Sequence, residues 1–404
     1  MRSTSCRAIA QDVLDSCVAG KPPKHLPRTL TEDPCAPALF SVLVEGLADR
    51  FEPSLCDAYV RLFSQAIAHV IGADAAALVS RYEWVRRPRK LTVNPKRVFV
   101  LSRITLGADV AITSVLLAAA KQRFKRAKIT LAGPQKNYAL FANDKRIHHA
   151  RVDYGRGSLR ERLAAAEELK ALVAEPDCIV IDPDSRLTQL GLLPVCPDEK
   201  YHLFESRAYC AETDKSLPEL ASEWAAETLG ISGAKPYIAV AADKAAASIP
   251  APHIAVSLGV GENPAKRIAD PFEEQLLALL AKTGLPVCID KGAGGAEAER
   301  VERAVERSGA AVTFWEGSFA GFASLIAASK LYVGYDSAGQ HIAAACGVPL
   351  ISIFAGFPAP RMFERWRPVG PSCQVIRVDQ PDPAATIERV REALGAHKFP
   401  GMVG

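Results

Sequence analysis

The stretch LYVGYDSAGQHIAAACGVPLISIFAG, residues 331–356, decides the fold. An apolar run ends at Tyr335, small polar residues follow, an Ala-rich helical pattern begins, and a second apolar run starts near Leu350. Short apolar runs bounded by turn residues read as strands buried on both faces. Strand, helix and strand in that order imply a parallel crossover unit. The helix opens with Asp336, Ser337, Ala338 and Gly339 and places His341 in its first turn. Its leading N–H groups have no intrahelical acceptor, so this end is a natural seat for a phosphate.

The same texture extends outward in both directions. From residue 97, RVFVLS, KITLAG and DCIVID read as buried strands, with helices such as DVAITSVLLAAAKQRF and SLRERLAAAEELKALVA between them. HIAVSLG, PVCID, AVTFW, LYVGY and PLISIF repeat the pattern in the second half. The helical stretches there are DPFEEQLLALLAKTG, EAERVERAVERSG, SFAGFASLIAASK and AGQHIAAACG. The expected architecture is α/β: two tandem, doubly wound, Rossmann-like parallel sheets with a cleft between their carboxyl ends. Residues 239–252, AVAADKAAASIPAP, read as the connection. Residues 1–90 are a helical extension, either a cap on the next domain or a docking surface for membrane or partner; the two α/β domains span 91–245 and 246–404. In the extension, LFSVLVEGLADRF and SLCDAYVRLFSQAIAHVIG space apolar residues three and four apart.

The 404 residues are 49% hydrophobic and 23% charged, with a net charge of +4, as in ordinary globular proteins. Apolar runs fall short of a membrane span, and Asp12 and Asp15 interrupt the place of a signal-peptide core, so the expected location is cytoplasmic. The ten cysteines form no C-x-x-C pair, and Cys178, Cys288 and Cys346 lie in apolar runs, which reads as reduced core thiols. Residues 81–97 hold seven basic side chains and one acid, Glu83; residues 121–128 hold five basic side chains and no acid. These are solvated segments or a positive rim for an anionic membrane surface or a phosphorylated acceptor. No recognition motif accompanies the charge, which excludes nucleic acid as the expected partner.

Three places carry candidate chemistry. In RITLGADVAITSVLLAAA, Asp109 opens a helix after a strand; it is a helix cap or a general base that takes a proton from a hydroxyl. In SLGVGENPAKRIADPFEEQ, Gly259 and Gly261 suggest a dinucleotide loop, but Pro264 stands where the third glycine belongs. Lys266 and Arg267 in that loop are a surface pair or a counter-charge for a diphosphate. The third is the Asp336–His341 helix start. Asp182 and Asp184 form a D-x-D after a strand, a pattern that can hold a divalent cation; Asp184 with Arg186 can instead shape an acceptor site.

Together these pieces resemble glycosyltransferase family 9, the lipopolysaccharide heptosyltransferases of the GT-B fold, over roughly residues 97–395. In that family a basic residue precedes a catalytic Asp by six positions, as Arg103 precedes Asp109; Ala108 stands where the family has glycine. Lys266 matches the family's loop lysine. Asp336, Ser337 and His341 keep the spacing of its strongest signature, with Ala338 at the glycine position and Gly339 one residue later. Glu297, in GAEAE, corresponds to a residue that binds the nucleotide ribose.

The resemblance implies an inverting, metal-independent transfer without a cofactor. A nucleotide-diphosphate sugar, ADP-heptose-like, would be held by Lys266, Glu297, Asp336, Ser337, Ala338, Gly339 and His341. Asp109 would activate a hydroxyl of an anionic glycan or glycolipid acceptor, with peripheral contact at the inner membrane through the basic patches. Two other readings stand beside it. One is a GT-B protein that binds a nucleotide sugar or glycan without turnover; the other is a nucleotide-sugar epimerase of related shape.

Overall fold

The computed structural model describes residues 5–261, 263–292 and 294–397. The chain forms two compact units. The first comprises residues 1–138, 145–235 and 358–365; the second comprises 139–144, 236–357 and 366–404.

The first unit is built on a five-stranded parallel sheet of β1 (Arg97–Leu101), β2 (Lys128–Gly133), β3 (Ile147–Arg151), β4 (Cys178–Asp182) and β5 (Tyr201–Leu203). Its order is β3-β2-β1-β4-β5. The second unit holds β6 (Ile254–Ser257), β7 (Val287–Asp290), β8 (Val312–Trp315), β9 (Leu331–Tyr335), β10 (Leu350–Ala355) and β11 (Cys373–Val378). Their order is β11-β10-β9-β6-β7-β8, again parallel throughout. Both orders run outward from the first strand and then reverse, the doubly wound pattern. Central strands such as β1, β4, β9 and β10 are buried along almost their whole length, which is why they read as continuous apolar runs. Three strands escaped that reading: β3 carries His148, His149 and Arg151, β5 has three residues, and β11 is a half-buried edge.

The N-terminal helices are continuous with the first unit. Leu55, Tyr59, Phe63 and Tyr82 share one core with Phe99, Val180, Tyr201 and Leu203. Tyr59 stacks on Phe63 with centroids 5.2 Å apart, and Phe40 meets Phe63 edge-on at 5.6 Å. A buried ionic knot adds to this packing. Arg207 Nε lies 2.9 Å from Asp184 Oδ2, and its Nη2 donates to Tyr82 Oη at 2.9 Å. Arg86 Nη2 reaches Glu205 Oε2 at 3.3 Å, and Cys56 donates to Glu205 Oε1 at 2.5 Å. Cys56, Tyr82 and Arg86 come from helices Pro53–Ile71 and Ala75–Val85 and the cap that follows, while Asp184, Glu205 and Arg207 lie just beyond β4 and β5. Burial pushes the Glu205 carboxyl up, and the two arginines oppose that shift.

The expectation that the cysteines are reduced core thiols needs one correction. Cys6 and Cys35 form a disulfide with Cα atoms 5.2 Å apart, joining the first helix to a short turn. Cys178 and Cys288 are buried and unbonded, as their apolar surroundings imply, and Cys346 is also unbonded. Among the described residues, no helix is long and apolar enough to cross a membrane.

A chain begun at residue 92 would expose the apolar side of the first sheet, leave Glu205 without Arg86 and Cys56, and leave Arg207 without Tyr82. It is expected to aggregate on expression. A soluble 92–404 chain that unfolds in one cooperative denaturant transition would show that the helical segment is dispensable.

Candidate functional site

Parallel sheets collect ligands beyond their carboxyl ends, where the strand order reverses. In the second unit that point lies between β6 and β9. Lys266 follows β6 in the short 3₁₀ turn Pro264–Lys266. Asn263 fixes this turn by accepting from Ala265 N at 3.0 Å and donating to Gly356 O at 3.2 Å. Asp336 follows β9 directly. Lys266 Nζ lies 2.6 Å from Asp336 Oδ2 and 3.2 Å from its carbonyl oxygen. Gln340 Nε2 donates to Asp336 Oδ1, and Ser352 Oγ donates to Gln340 Oε1 at 2.5 Å. The carboxylate is thus clamped between Lys266 and Gln340, and the lysine is aimed at the start of helix Ala338–Ala345.

That helix begins without a side-chain cap. Ser337 is its N-cap in extended conformation, and its hydroxyl lies 3.4 Å from Tyr332 Oη instead of bonding a helical N–H. Ala338 is the first helical residue. At 339 a side chain is sterically forbidden, because a Cβ would overlap the Tyr332 hydroxyl. This accounts for glycine standing at 339, with alanine tolerated at 338. His341 is buried, with its ring centroid 5.8 Å from that of Trp366 and Nε2 3.4 Å from Gln340 Nε2. Burial pushes its pKa down to about 4; Asp336 pulls the other way, and Lys266 adds to the depression. The ring is neutral near pH 7.

Glu297 lies in the first turn of helix Gly295–Ser308. Its carboxylate rests against the loops after β6 and β7, where Cβ atoms at Gly259 and Gly292 would stand 3.2 and 2.5 Å from Oε1. Gly292 has φ +85°, a conformation that favours glycine. Asp290 is the neighbouring acid, its carboxyl pushed up by burial, with Glu297 adding to the rise. Lys266, Asp336, Ser337 and His341 therefore lie together, and Glu297 lies on the helix after β7, against the loops after β6 and β7.

In the first unit the order reverses between β1 and β4. Asp109 begins a π-helical turn, Asp109–Thr113, inside the helix after β1. It is 0% exposed, and both oxygens are saturated. Oδ1 accepts from Arg103 N at 2.7 Å and Thr113 Oγ1 at 2.6 Å; Oδ2 accepts from Ser102 Oγ and Asn137 Nδ2, each at 2.6 Å. Burial raises its proton affinity, and these four donors oppose the rise. Ile104 at φ +76° and Asp184 at φ +70° are non-glycine residues in the left-handed region. Each costs on the order of 1–3 kcal/mol, and such residues cluster at functional loops. They stand just beyond β1 and β4, on both sides of the reversal.

The D-x-D acids have internal partners. Asp182 accepts from Ser185 N at 2.6 Å, Thr188 Oγ1 at 2.5 Å and Tyr201 Oη; burial pushes it up to about 6. Asp184 pairs with Arg207 and accepts from Ser206 Oγ at 2.9 Å, while Arg186 reaches Glu45 at 3.3 Å. Arg103 donates to Ser206 Oγ at 2.9 Å and to Pro183 O. An open depression of about 280 Å³ lies over the β1–β3 side, lined by Ile104, Gln135, Lys136, Asp153, Tyr154 and Arg156.

Sequence reasoning missed Gln340, Tyr332 and Asn137. Gln340 stands four residues after Asp336, a helical neighbour distance that could have flagged it. Tyr332 and Asn137 are brought in by the fold, and no local pattern marks them.

Because His341 is neutral in the fold and takes a proton near pH 6.5 when unfolded, its contribution is complete above pH 6.5 and lost as pH falls toward 4. The loss is on the order of 3 kcal/mol. His202 is depressed in the same direction, so the check is a difference: His341→Gln should lose less stability than wild type between pH 6.5 and 4.5 in denaturant titrations.

Residues 203–395 match the model of glycosyltransferase family 9 (heptosyltransferase). No curated protein sequence matches the chain. Among solved structures, E. coli heptosyltransferase WaaC with ADP-2-deoxy-2-fluoro heptose is similar at 20% identity and a TM-score of 0.53, over 73% of this chain and 99% of that one. E. coli ADP-heptose lps heptosyltransferase II is similar at 19% identity and 0.52, over 74% and 99%. The glycosyl transferase family 9 protein from Veillonella parvula DSM 2008 is similar at 14% identity and 0.55, over 76% and 91%. The shared architecture is the GT-B-type pair of Rossmann-like domains. Residues 203–395 thus resemble glycosyltransferase family 9 (heptosyltransferase), and the chain shares the fold of these structures.

Proposed function

We infer that this protein transfers a heptose-like sugar from a nucleotide diphosphate to a hydroxyl of an anionic glycan or glycolipid of the lipopolysaccharide type, with inversion and without a metal. The observation that carries the donor assignment is the Lys266–Asp336 pair at the uncapped start of helix Ala338–Ala345, within the stretch matching the family. Related structures hold ADP and an ADP-heptose analogue, which supports an adenine nucleotide. A diphosphate placed there meets oriented N–H groups and an ammonium whose direction Asp336 fixes. Such preorganised donors favour the charge that develops on the leaving group. Glu297 would accept from the ribose hydroxyls. The D-x-D acids are committed to Thr188, Tyr201, Ser185 and Arg207, so the counter-charge is assigned to Lys266 and the helix end.

Asp109 is assigned as the general base. Burial raises its affinity for a proton, and its four donors orient the carboxylate. One donor must give way to an incoming hydroxyl; Ser102 and Thr113 can do so by rotating. Direct displacement at the anomeric carbon, with Asp109 taking the proton and the nucleotide leaving from the opposite face, inverts configuration. The depression beside Ile104, with Lys136, Arg156 and Tyr154, suits an anionic sugar acceptor.

Asp109→Asn should retain ADP binding by calorimetry and lose sugar transfer. Lys266→Ala should weaken ADP binding by roughly 10- to 100-fold, as expected for a lost charged hydrogen bond. Transfer at the wild-type rate by folded Asp109→Asn would remove it as the base; unfolding of that variant would mark it as an anchor.

Lys96 and Arg97 of the first basic segment meet the second at the amino-terminal edge of the first sheet. Arg97 and Lys128 start adjacent strands in register, and Lys121, Arg123, Lys125 and Arg126 surround the turn before β2. Lys96 and Arg97 pair with Asp177 and Glu175. This edge is assigned to peripheral contact with an anionic bilayer. The protein should sediment with vesicles containing acidic lipid and not with neutral ones, and Lys125→Glu with Arg126→Glu should weaken that binding, at about 1 kcal/mol per basic residue removed. Equal sedimentation with neutral vesicles would discard the assignment.

A further inference from the structure

Glu273 is an acid that the transfer chemistry does not use. It lies in the first turn of helix Phe272–Ala281 and is 2% exposed. Its Oε1 accepts from three donors on three different segments. Arg267 Nε lies at 3.2 Å, Tyr335 Oη at 3.1 Å, and Arg300 Nη1 is the third. Arg267 is the residue after Lys266. Tyr335 is the residue before Asp336, and its hydroxyl also accepts from Ile268 N at 3.3 Å. Arg300 stands three residues after Glu297 on the same helix, and its Nη2 donates to Leu258 O at 2.7 Å, at the start of the loop holding Gly259. Each donor is thus a chain neighbour of a proposed donor-binding residue. A cavity of about 90 Å³ lies beside Glu273, between helices Phe272–Ala281 and Gly295–Ser308, and Asp270, Glu274, Arg303 and Arg307 are also in its wall.

A buried carboxylate with two guanidinium partners is costly to break: Arg300 loses its carboxylate, while Arg267 keeps Asp270. Rigid support behind a binding group limits the freedom of the groups that touch ligand. We propose that Glu273 is a positioning residue for nucleotide-diphosphate binding: it touches no ligand and holds the Lys266 loop, the Glu297 helix and the Asp336 strand end in one fixed arrangement. The inference rests on the donor site proposed above.

The test uses the full chain with ADP as the probe, by calorimetry well below the melting temperature of each variant. Glu273→Gln removes the charge that both arginines share. It should weaken ADP binding and raise donor KM by roughly 10- to 100-fold, the scale for a misplaced site, with acceptor KM unchanged. Glu274→Gln, next in sequence and lining the same cavity, should leave ADP affinity as in wild type. Adding Lys266→Ala to Glu273→Gln should cost less than the two separate losses combined, because Glu273 acts through that loop. If Glu273→Gln does not fold, Tyr335→Phe and Arg267→Gln each remove one arm and should each weaken ADP binding several-fold. Wild-type ADP affinity in folded Glu273→Gln, or in both arm variants, overturns the inference. An equal loss in Glu274→Gln also overturns it. If Lys266→Ala weakens ADP and Glu273→Gln does not, the positioning role alone fails; if neither does, the donor site itself is misplaced.

Discussion

A carboxylate removed from water must be surrounded by donors, and this protein applies that constraint repeatedly just beyond its parallel strands. Asp109 takes four hydrogen bonds, Asp182 takes three, and Asp184 takes Arg207 and Ser206. In the second unit Asp336 takes Lys266 and Gln340. Each acid pulls donors from separate segments onto one point. Loops at strand ends have few backbone partners of their own, so these carboxylates define their shape. The strained Ile104 and Asp184 persist because such anchors hold the backbone on either side of them.

The N-terminal helices follow from the same constraint. Arg207 is 4% exposed and faces Asp184, Glu205, Tyr82 and the Tyr59 ring, 4.8 Å from its guanidinium carbon. A cation so placed needs a wall that excludes water, and helices Pro53–Ile71 and Ala75–Val85 provide it. Their apolar faces then complete the core over β4 and β5. The segment that the sequence reads as a cap or a docking surface shares, by its contacts, the core of the first unit.

Where a single local pattern determines the outcome, the sequence was legible. Buried strands announce themselves by apolar runs, and the helix at Ala338–Ala345 by the small polar residues before it. Lys266 and Asp336, seventy positions apart, were each singled out by their own loop and helix start, but their 2.6 Å pairing is a product of sheet order. β3, with two histidines and an arginine in five residues, shows no apolar run because it is an edge strand. Glu273 is one of two acids in the first turn of its helix, and the arginines it pairs with stand six and twenty-seven residues away. Cys6 and Cys35 have no spacing signature, and proximity alone makes them partners. Long-range partners of buried polar groups are the class of fact that periodicity does not encode.

The two alanines at the family's glycine positions have different physical explanations. At 338 the constraint has moved by one residue: Tyr332 fills the space under the helix, and its hydroxyl demands a glycine at 339. The helix start keeps its small residues, with the Tyr332 ring packed beneath Gly339. At 108 the residue is buried, 4% exposed, at the junction where the helix passes into the π-helical turn that Asp109 begins. Thr113, four positions on, reaches Asp109 Oδ1 at the ordinary helical neighbour spacing. Ala108 has φ −68°, which any residue adopts, so this position has no need of glycine's conformational range. The adjustment at 338–339 is therefore steric, while at 108 the backbone is ordinary helix and makes no demand for glycine. Each keeps an acid at the carboxyl end of a central strand, held by donors from its own unit.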